Sequence, residues 1–127
     1  MLRSREEKVA IILAKEIVDK YNCECKVIQD KGNNYLYLFN KKIDVLLTVC
    51  NTNKKRVIKV EEILINKKYR NKGICTNLIN TMKNTVLEND ATIGLWCEIN
   101  NKKLFNFYSR MGFKYIETLN DDWLEFN

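Results

Sequence analysis

Between Ile63 and Thr76 the chain reads Ile-Leu-Ile-Asn-Lys-Lys-Tyr-Arg-Asn-Lys-Gly-Ile-Cys-Thr, a short β-type run that breaks into a basic loop, which in turn feeds a helical pattern. A helix start leaves its first backbone N–H groups without partners, and a glycine there lets a phosphate approach the main chain with no side chain in the way. Lys67, Lys68, Arg70 and Lys72 place positive charge around that opening. The stretch therefore reads as an anion cradle. The same residues also describe a solvated basic turn, because one glycine in a basic loop is a weak signal by itself. A second pattern further along the chain decides between the two readings.

At 127 residues, with 46% hydrophobic and 30% charged side chains, the chain is long enough to bury a core as one domain, residues 1–127, without disulfide or metal staples. No apolar run approaches the ~20 residues of a membrane span. The opening Met1–Glu7 is charged rather than apolar, so no secretory signal is read there and a cytoplasmic protein is expected. Five cysteines, among them the Cys23-Glu24-Cys25 pair, fit neither a secreted framework nor paired zinc spacing, and histidine is absent; metal chemistry is not expected. The formal net charge is +6, with 13 basic and 7 acidic groups in residues 1–60 and 9 of each in residues 61–127. The excess gathers toward the glycine turn, where a phosphate-bearing partner would be drawn.

Ser4-Arg5-Glu6-Glu7 has the form of a capping box, and Val9, Ile12, Leu13, Ile17 and Tyr21 follow at helical spacing, which predicts a first helix over residues 5 to 21. Strands are expected at Cys25–Gln29, Tyr35–Phe39 and Ile43–Cys50, joined as hairpins by the turns Gly32-Asn33-Asn34 and Asn40-Lys41-Lys42. A fourth strand, Val57 to Ile65, leads into the cradle. The second helix begins near Gly73 or Ile74 and carries Leu78, Ile79, Met82 and Val86 on one face. Thr92 to Glu98 is the fifth strand. Asn101 then offers an N-cap to a third helix, closed by Gly112, and Phe113–Thr118 and Trp123–Phe126 are short final strands. This order indicates an α+β fold with a mixed, mostly antiparallel sheet of six to seven strands and flanking helices.

Arg70-Asn71-Lys72-Gly73-Ile74-Cys75 resembles the R/Q-x-x-G-x-G/A loop of the GNAT superfamily of N-acetyltransferases. Leu95-x-Cys97-x-x-x-Asn101-x-x-Leu104-x-x-x-Tyr108-x-x-x-Gly112-Phe113 is similar to that family's following strand and helix, and the likeness covers roughly residues 43–126. The resemblance implies acetyl-CoA as the donor. Its pyrophosphate would rest on Arg70, Asn71, Lys72, Gly73, Ile74, Cys75 and Thr76. Its pantetheine arm would lie between the fourth and fifth strands, which splay apart because of a β-bulge in the fourth. Main-chain N–H groups around Ile63 and Ile65 would hold the thioester carbonyl and stabilise the oxyanion formed on attack.

Asn101 and Tyr108 stand two helical turns apart, ~10 Å along the axis, on one face. By the resemblance Tyr108 is the general acid that protonates the departing thiolate, and Asn101 binds the cofactor arm. An amine acceptor must lose a proton before it attacks. Glu61 is the candidate base, with Glu62, Glu98 or a water chain as alternatives.

The pattern departs from the family at Cys75, where Gly or Ala is usual, and at Leu104, which replaces a small residue. Cysteine is small enough to be a tolerated variant, which is the leading expectation; a helix start also tends to lower a thiol pKa, so weaker cofactor binding or an oxidation-sensitive thiol is the alternative. The family also begins with a strand and two helices that roof the acceptor site, and here one helix comes first. That predicts a more open acceptor site, suited to a protein amine or completed by a second copy in a homodimer. Glu117, Asp121, Asp122 and Glu125 would favour a cationic acceptor. The leading reading is an acetyl-CoA-dependent N-acetyltransferase acting on a primary amine, of a small molecule or a protein, by direct attack in a ternary complex. Its rivals are a non-catalytic relative that binds the cofactor or a partner, and a basic nucleic-acid-binding module, for which no motif is visible.

Overall fold

The computed structural model describes residues 5–52, 55–98, 100–116 and 122–126. The chain runs α1 (Arg5–Tyr21), β1 (Glu24–Asp30), β2 (Asn33–Phe39), β3 (Ile43–Thr52), β4 (Lys55–Ile65), α2 (Ile74–Glu88), β5 (Thr92–Trp96), α3 (Lys102–Arg110), β6 (Phe113–Tyr115) and β7 (Trp123–Phe126). Ser4 of the expected capping box lies outside the described residues. Strands β1 to β4 reach further than the apolar patterns alone suggested, because polar residues such as Glu24, Asp30 and Asn33 pair across the hairpins. β5 is shorter than expected: Cys97 and Glu98 leave the strand and begin the turn into α3. The sixth strand ends at Tyr115, and of its expected residues Glu117 and Thr118 lie outside the described residues. The sequence reading passed over a 3-10 turn at Lys67–Tyr69, started by Asn66, whose side chain accepts from the Lys68 N–H.

One seven-stranded sheet holds these elements together in the order β1-β2-β3-β4-β5-β7-β6. All pairings are antiparallel except β4 with β5. That parallel pair needs a crossover, which α2 supplies. The β1–β2 loop is only Lys31-Gly32, both at positive φ (50° and 82°), as a two-residue type I′ turn requires.

α1 and α2 pack side by side on one face of the sheet. Val9, Leu13 and Ile17 of α1 and Leu78, Ile79, Met82 and Val86 of α2 are fully or almost fully buried against Leu38, Val45, Leu47, Ile58, Ile93 and Leu124 from the strands. Spacings of three and four residues on the helices and of two on the strands aim these side chains at one another. Tyr35, Tyr37, Phe39, Asp44 and Leu46 alternate to the other face, where they are only half-buried.

A bulge interrupts the β3–β4 ladder. Leu46 pairs with Glu62 and Leu47 with Val60, so Glu61 is the extra residue. It reverses the alternation of β4: Ile58 and Val60 face the helices before it, and Ile63 and Ile65 pack against the same core after it.

Candidate active site

The bulge coincides with the place where two parallel strands part. β4 pairs with β5 from Val57–Thr92 to Val60–Leu95 and no further, although β4 continues to Ile65. Past that point β5 is bonded to β7 through Trp96. The expected splay is therefore present, with its apex at Val60 and Leu95 and Glu61 as the first residue beyond it. Two hydrogen bonds fix which way the free edge of β4 points. The Asn66 N–H donates to Lys42 O on the β3 side, whereas Ile65 O accepts from Arg70 Nε on the other. Alternation then turns the N–H groups of Ile65 and Ile63 into the gap, where a ligand's carbonyl can accept from them.

The cradle closes the wide end of the gap. Ile65, Tyr69, Arg70, Asn71, Gly73, Ile74, Cys75 and Thr76 line a single groove of about 290 Å³. Of the expected cradle residues, Lys72 is exposed beside the groove rather than part of its lining. Asn71 and Gly73 are both left-handed, at φ 63° and 77°. Gly73 is the N-cap of α2 and offers no side-chain bond to the helix, so the N–H groups of Ile74, Cys75 and Thr76 meet no capping side chain. A left-handed residue followed by helical ones turns successive N–H groups into one concavity, a shape that holds anions. A Cβ on Gly73 would meet nothing within 4 Å, so the glycine is set by its backbone angle and by the open approach. These donors, with the Arg70 and Lys72 charges, fit a pyrophosphate.

Cys75 behaves differently from the expectation. Its side chain turns inward, packs against the core and lies largely withdrawn from solvent, and burial raises its thiol pKa above the usual value. Desolvation outweighs the helix start here, so the alternative of a thiol acidified by the helix start is corrected. Leu104 is 40% exposed, so its bulk is accommodated at the surface.

Asn101 is the N-cap of α3, with Oδ1 accepting from the Leu104 N–H at 3.3 Å, which leaves its amide NH₂ to donate elsewhere. Tyr108, the only buried residue of α3 among those described, packs edge-on against Phe113 at 5.5 Å between ring centroids. Its pKa is pushed far up, first by burial and then by the neighbouring thiols of Cys75 and Cys97. Those neighbours place the hydroxyl between the first turn of α2 and the end of β5, beside the gap. A phenol held protonated there can donate a proton but not accept one.

The candidate bases separate. Glu61 is paired with Lys59 Nζ at 3.1 Å at the apex of the gap. Glu62 is exposed and lies on the Tyr37 side of the sheet, where it and Asp44 raise the Tyr37 pKa, Asp44 most strongly by accepting the Tyr37 hydroxyl at 2.9 Å. Glu98 is exposed in the turn before α3. Of the acidic residues expected to favour a cationic acceptor, Glu125 is withdrawn from the surface. Glu125 is 2% exposed and accepts from Trp123 Nε1 at 2.8 Å, and Glu117 and Asp121 lie outside the described residues. Sequence reasoning missed two residues at the apex, Lys59 and Trp96, whose contact places Lys59 Nζ 5.3 Å from the indole. Lys59 and Glu61 at a spacing of two on a strand was the available signal.

Among the described residues no cluster of metal-binding side chains occurs, and no helix is long and apolar enough to cross a membrane.

Comparison with known proteins agrees with this architecture. The structure superposes on a nourseothricin acetyltransferase with a TM-score of 0.52 at 19% identity, over 80% of this chain and 69% of that one. It superposes on a GNAT-family acetyltransferase of Staphylococcus aureus Mu50 with a TM-score of 0.53 at 17% identity, over 100% of this chain and 95% of that one. In sequence the chain is 31% identical over 77 residues to an uncharacterized N-acetyltransferase of Methanocaldococcus jannaschii, which is 60% of this chain. It thus spans only 34% of that relative's length. The model of the acetyltransferase (GNAT) family matches residues 22–113, bracketing the bulge, the gap, the cradle and Tyr108, and the chain belongs to that family.

Proposed function

We propose that the protein transfers the acetyl group of acetyl-CoA to a primary amine by direct attack in a ternary complex, without a covalent enzyme intermediate. The observation that carries this reading is the gap beyond Val60 and Leu95, entered from a groove of free N–H groups and flanked by one buried phenol. Acetyl-CoA, when bound, supplies a thioester whose carbon accepts an amine. The N–H groups of Ile74, Cys75 and Thr76 bind pyrophosphate oxygens, and Arg70, Asn71 and Lys72 border them. Ile63 and Ile65 aim N–H groups at the carbonyl oxygen and stabilise its developing charge. The Asn101 amide donates to the arm. Tyr108 gives its proton to the departing thiolate, and Glu61 receives the proton that the amine must lose.

The acceptor side is open. Two residues join β1 to β2, so no helices stand between those strands, and the sheet face opposite α1 and α2 keeps Tyr35, Tyr37 and Phe39 half-exposed. This supports an acceptor carried on a protein, or a site completed by a second copy. Incubating the protein with acetyl-CoA and a cell extract, read by mass spectrometry for new acetyl groups, identifies the acceptor. Tyr108→Phe tests the chemistry: turnover should fall more than acetyl-CoA affinity. Equal losses in both would assign Tyr108 to packing instead. Tight acetyl-CoA binding with no transfer to any amine would make the protein a binding relative.

A further inference from the structure

At the apex of the gap the chain presents an amine of its own. Lys59 immediately precedes Val60, the last β4 residue paired with β5, and its own partner across the ladder is Gly94. Lys59 Nζ stands 5.3 Å from the centroid of the Trp96 ring, on the residue that follows Leu95 in β5. Glu61, the bulge residue, holds the same Nζ at 3.1 Å. Both side chains are largely sheltered, 20% and 24% exposed. A base acts on an amine only within hydrogen-bond reach of it, and the candidate base Glu61 has that reach to Lys59 already.

We propose that Lys59 is an acetyl acceptor, modified within its own chain, an inference that rests on the acetyl-CoA reading above. Lys59 Nζ gives one proton to Glu61, which passes it to solvent, and bonds to the acetyl carbon. As the tetrahedral adduct collapses the carbon–sulfur bond breaks, the sulfur leaves as coenzyme A thiol with the proton from Tyr108, and the nitrogen's second proton returns to the Tyr108 oxygen and restores the phenol. The lysine becomes a neutral amide, so the Glu61 ion pair and the cation contact with Trp96 are both lost. The modification occurs once per molecule and frees Glu61 for an external amine.

Incubating the full chain with acetyl-CoA should place one acetyl group on the peptide containing Lys59, at a first-order rate that dilution of the protein does not change. Lys59→Arg, which keeps the charge pair, should abolish that modification, and Glu61→Gln should slow it about 100-fold. Acetylation spread evenly over exposed lysines and indifferent to Glu61→Gln would mark simple chemical acetylation and overturn the proposal. A rate that falls with dilution would also overturn it, by placing the transfer between molecules. An unmodified Lys59 in a protein that binds acetyl-CoA and acetylates an added amine would overturn this inference and leave the transferase reading standing. Absence of acetyl-CoA binding in calorimetry would overturn both.

Discussion

Gly94→Ala should be among the most damaging single-methyl changes in the chain, although Gly94 has no side chain to take part in the proposed chemistry. A Cβ at Gly94 would stand 2.1 Å from one Trp123 ring atom and 2.8 Å from two others, all inside van der Waals contact. The indole cannot step aside easily: Trp123 is 2% exposed, and its Nε1–H donates at 2.8 Å to Glu125, itself 2% exposed. Overpacking a filled core costs about 1–3 kcal/mol. If the ring moves, the bond to Glu125 weakens, and a buried hydrogen bond whose partner is left unsatisfied costs about 1–3 kcal/mol. A combined loss of about 3 kcal/mol is expected. With unfolding entropy of ~2.1 cal/mol/K per residue, that lowers the melting temperature by about 10 °C for a chain of this size. Urea and thermal unfolding followed by circular dichroism measure it. Trp123→Phe should be less costly in the Gly94→Ala background than alone, with a coupling of about 1 kcal/mol or more. A loss below ~1 kcal/mol, or strict additivity of the two changes, would refute the steric argument.

Gly73→Ala should cost only about 1 kcal/mol of stability, the price of a left-handed alanine, because its Cβ meets nothing; calorimetry should show weaker acetyl-CoA binding as well. Tyr108 has a folded-state pKa above its unfolded value, so the folded state retains a proton that the unfolded state releases. Its contribution is full below about pH 10, the ordinary tyrosine value, and is lost as pH rises from there toward the folded value. Tyr108→Phe should flatten the alkaline limb of stability against pH, and an unchanged limb would deny the burial effect. Burial raises both the Cys25 and the Cys75 thiols, so access decides between them, and alkylation at mildly alkaline pH should label the exposed Cys25 ahead of Cys75 in peptide mapping.

Local chemistry made much of this site readable in advance. Gly73 at positive φ, Asn101 as a side-chain cap and Gly112 at φ 97° just past α3 are positions where backbone geometry selects the residue, so each could be named from spacing alone. The bulge was expected in the fourth strand through family likeness, but its placement at Glu61 depends on which β3 residues face β4, a pairing no single segment encodes. The same limit explains the errors. Cys75 was judged by the helix start it belongs to, yet its thiol responds to the core and to Tyr108, which come from elsewhere in the chain. Glu125 was read as part of an acidic group that would favour a cationic acceptor, and Trp123 two positions before it, with Gly94 on the neighbouring strand, draws it inside. Lys59 and Trp96 escaped notice because their meeting requires β4 and β5 to be parallel and in register up to Val60 and Leu95. The cradle is thus a local device and the apex of the gap a tertiary one. A substitution in the cradle should therefore act on ligand affinity through its own backbone, whereas the chemistry at the apex should respond to changes as far off as the Trp123 ring.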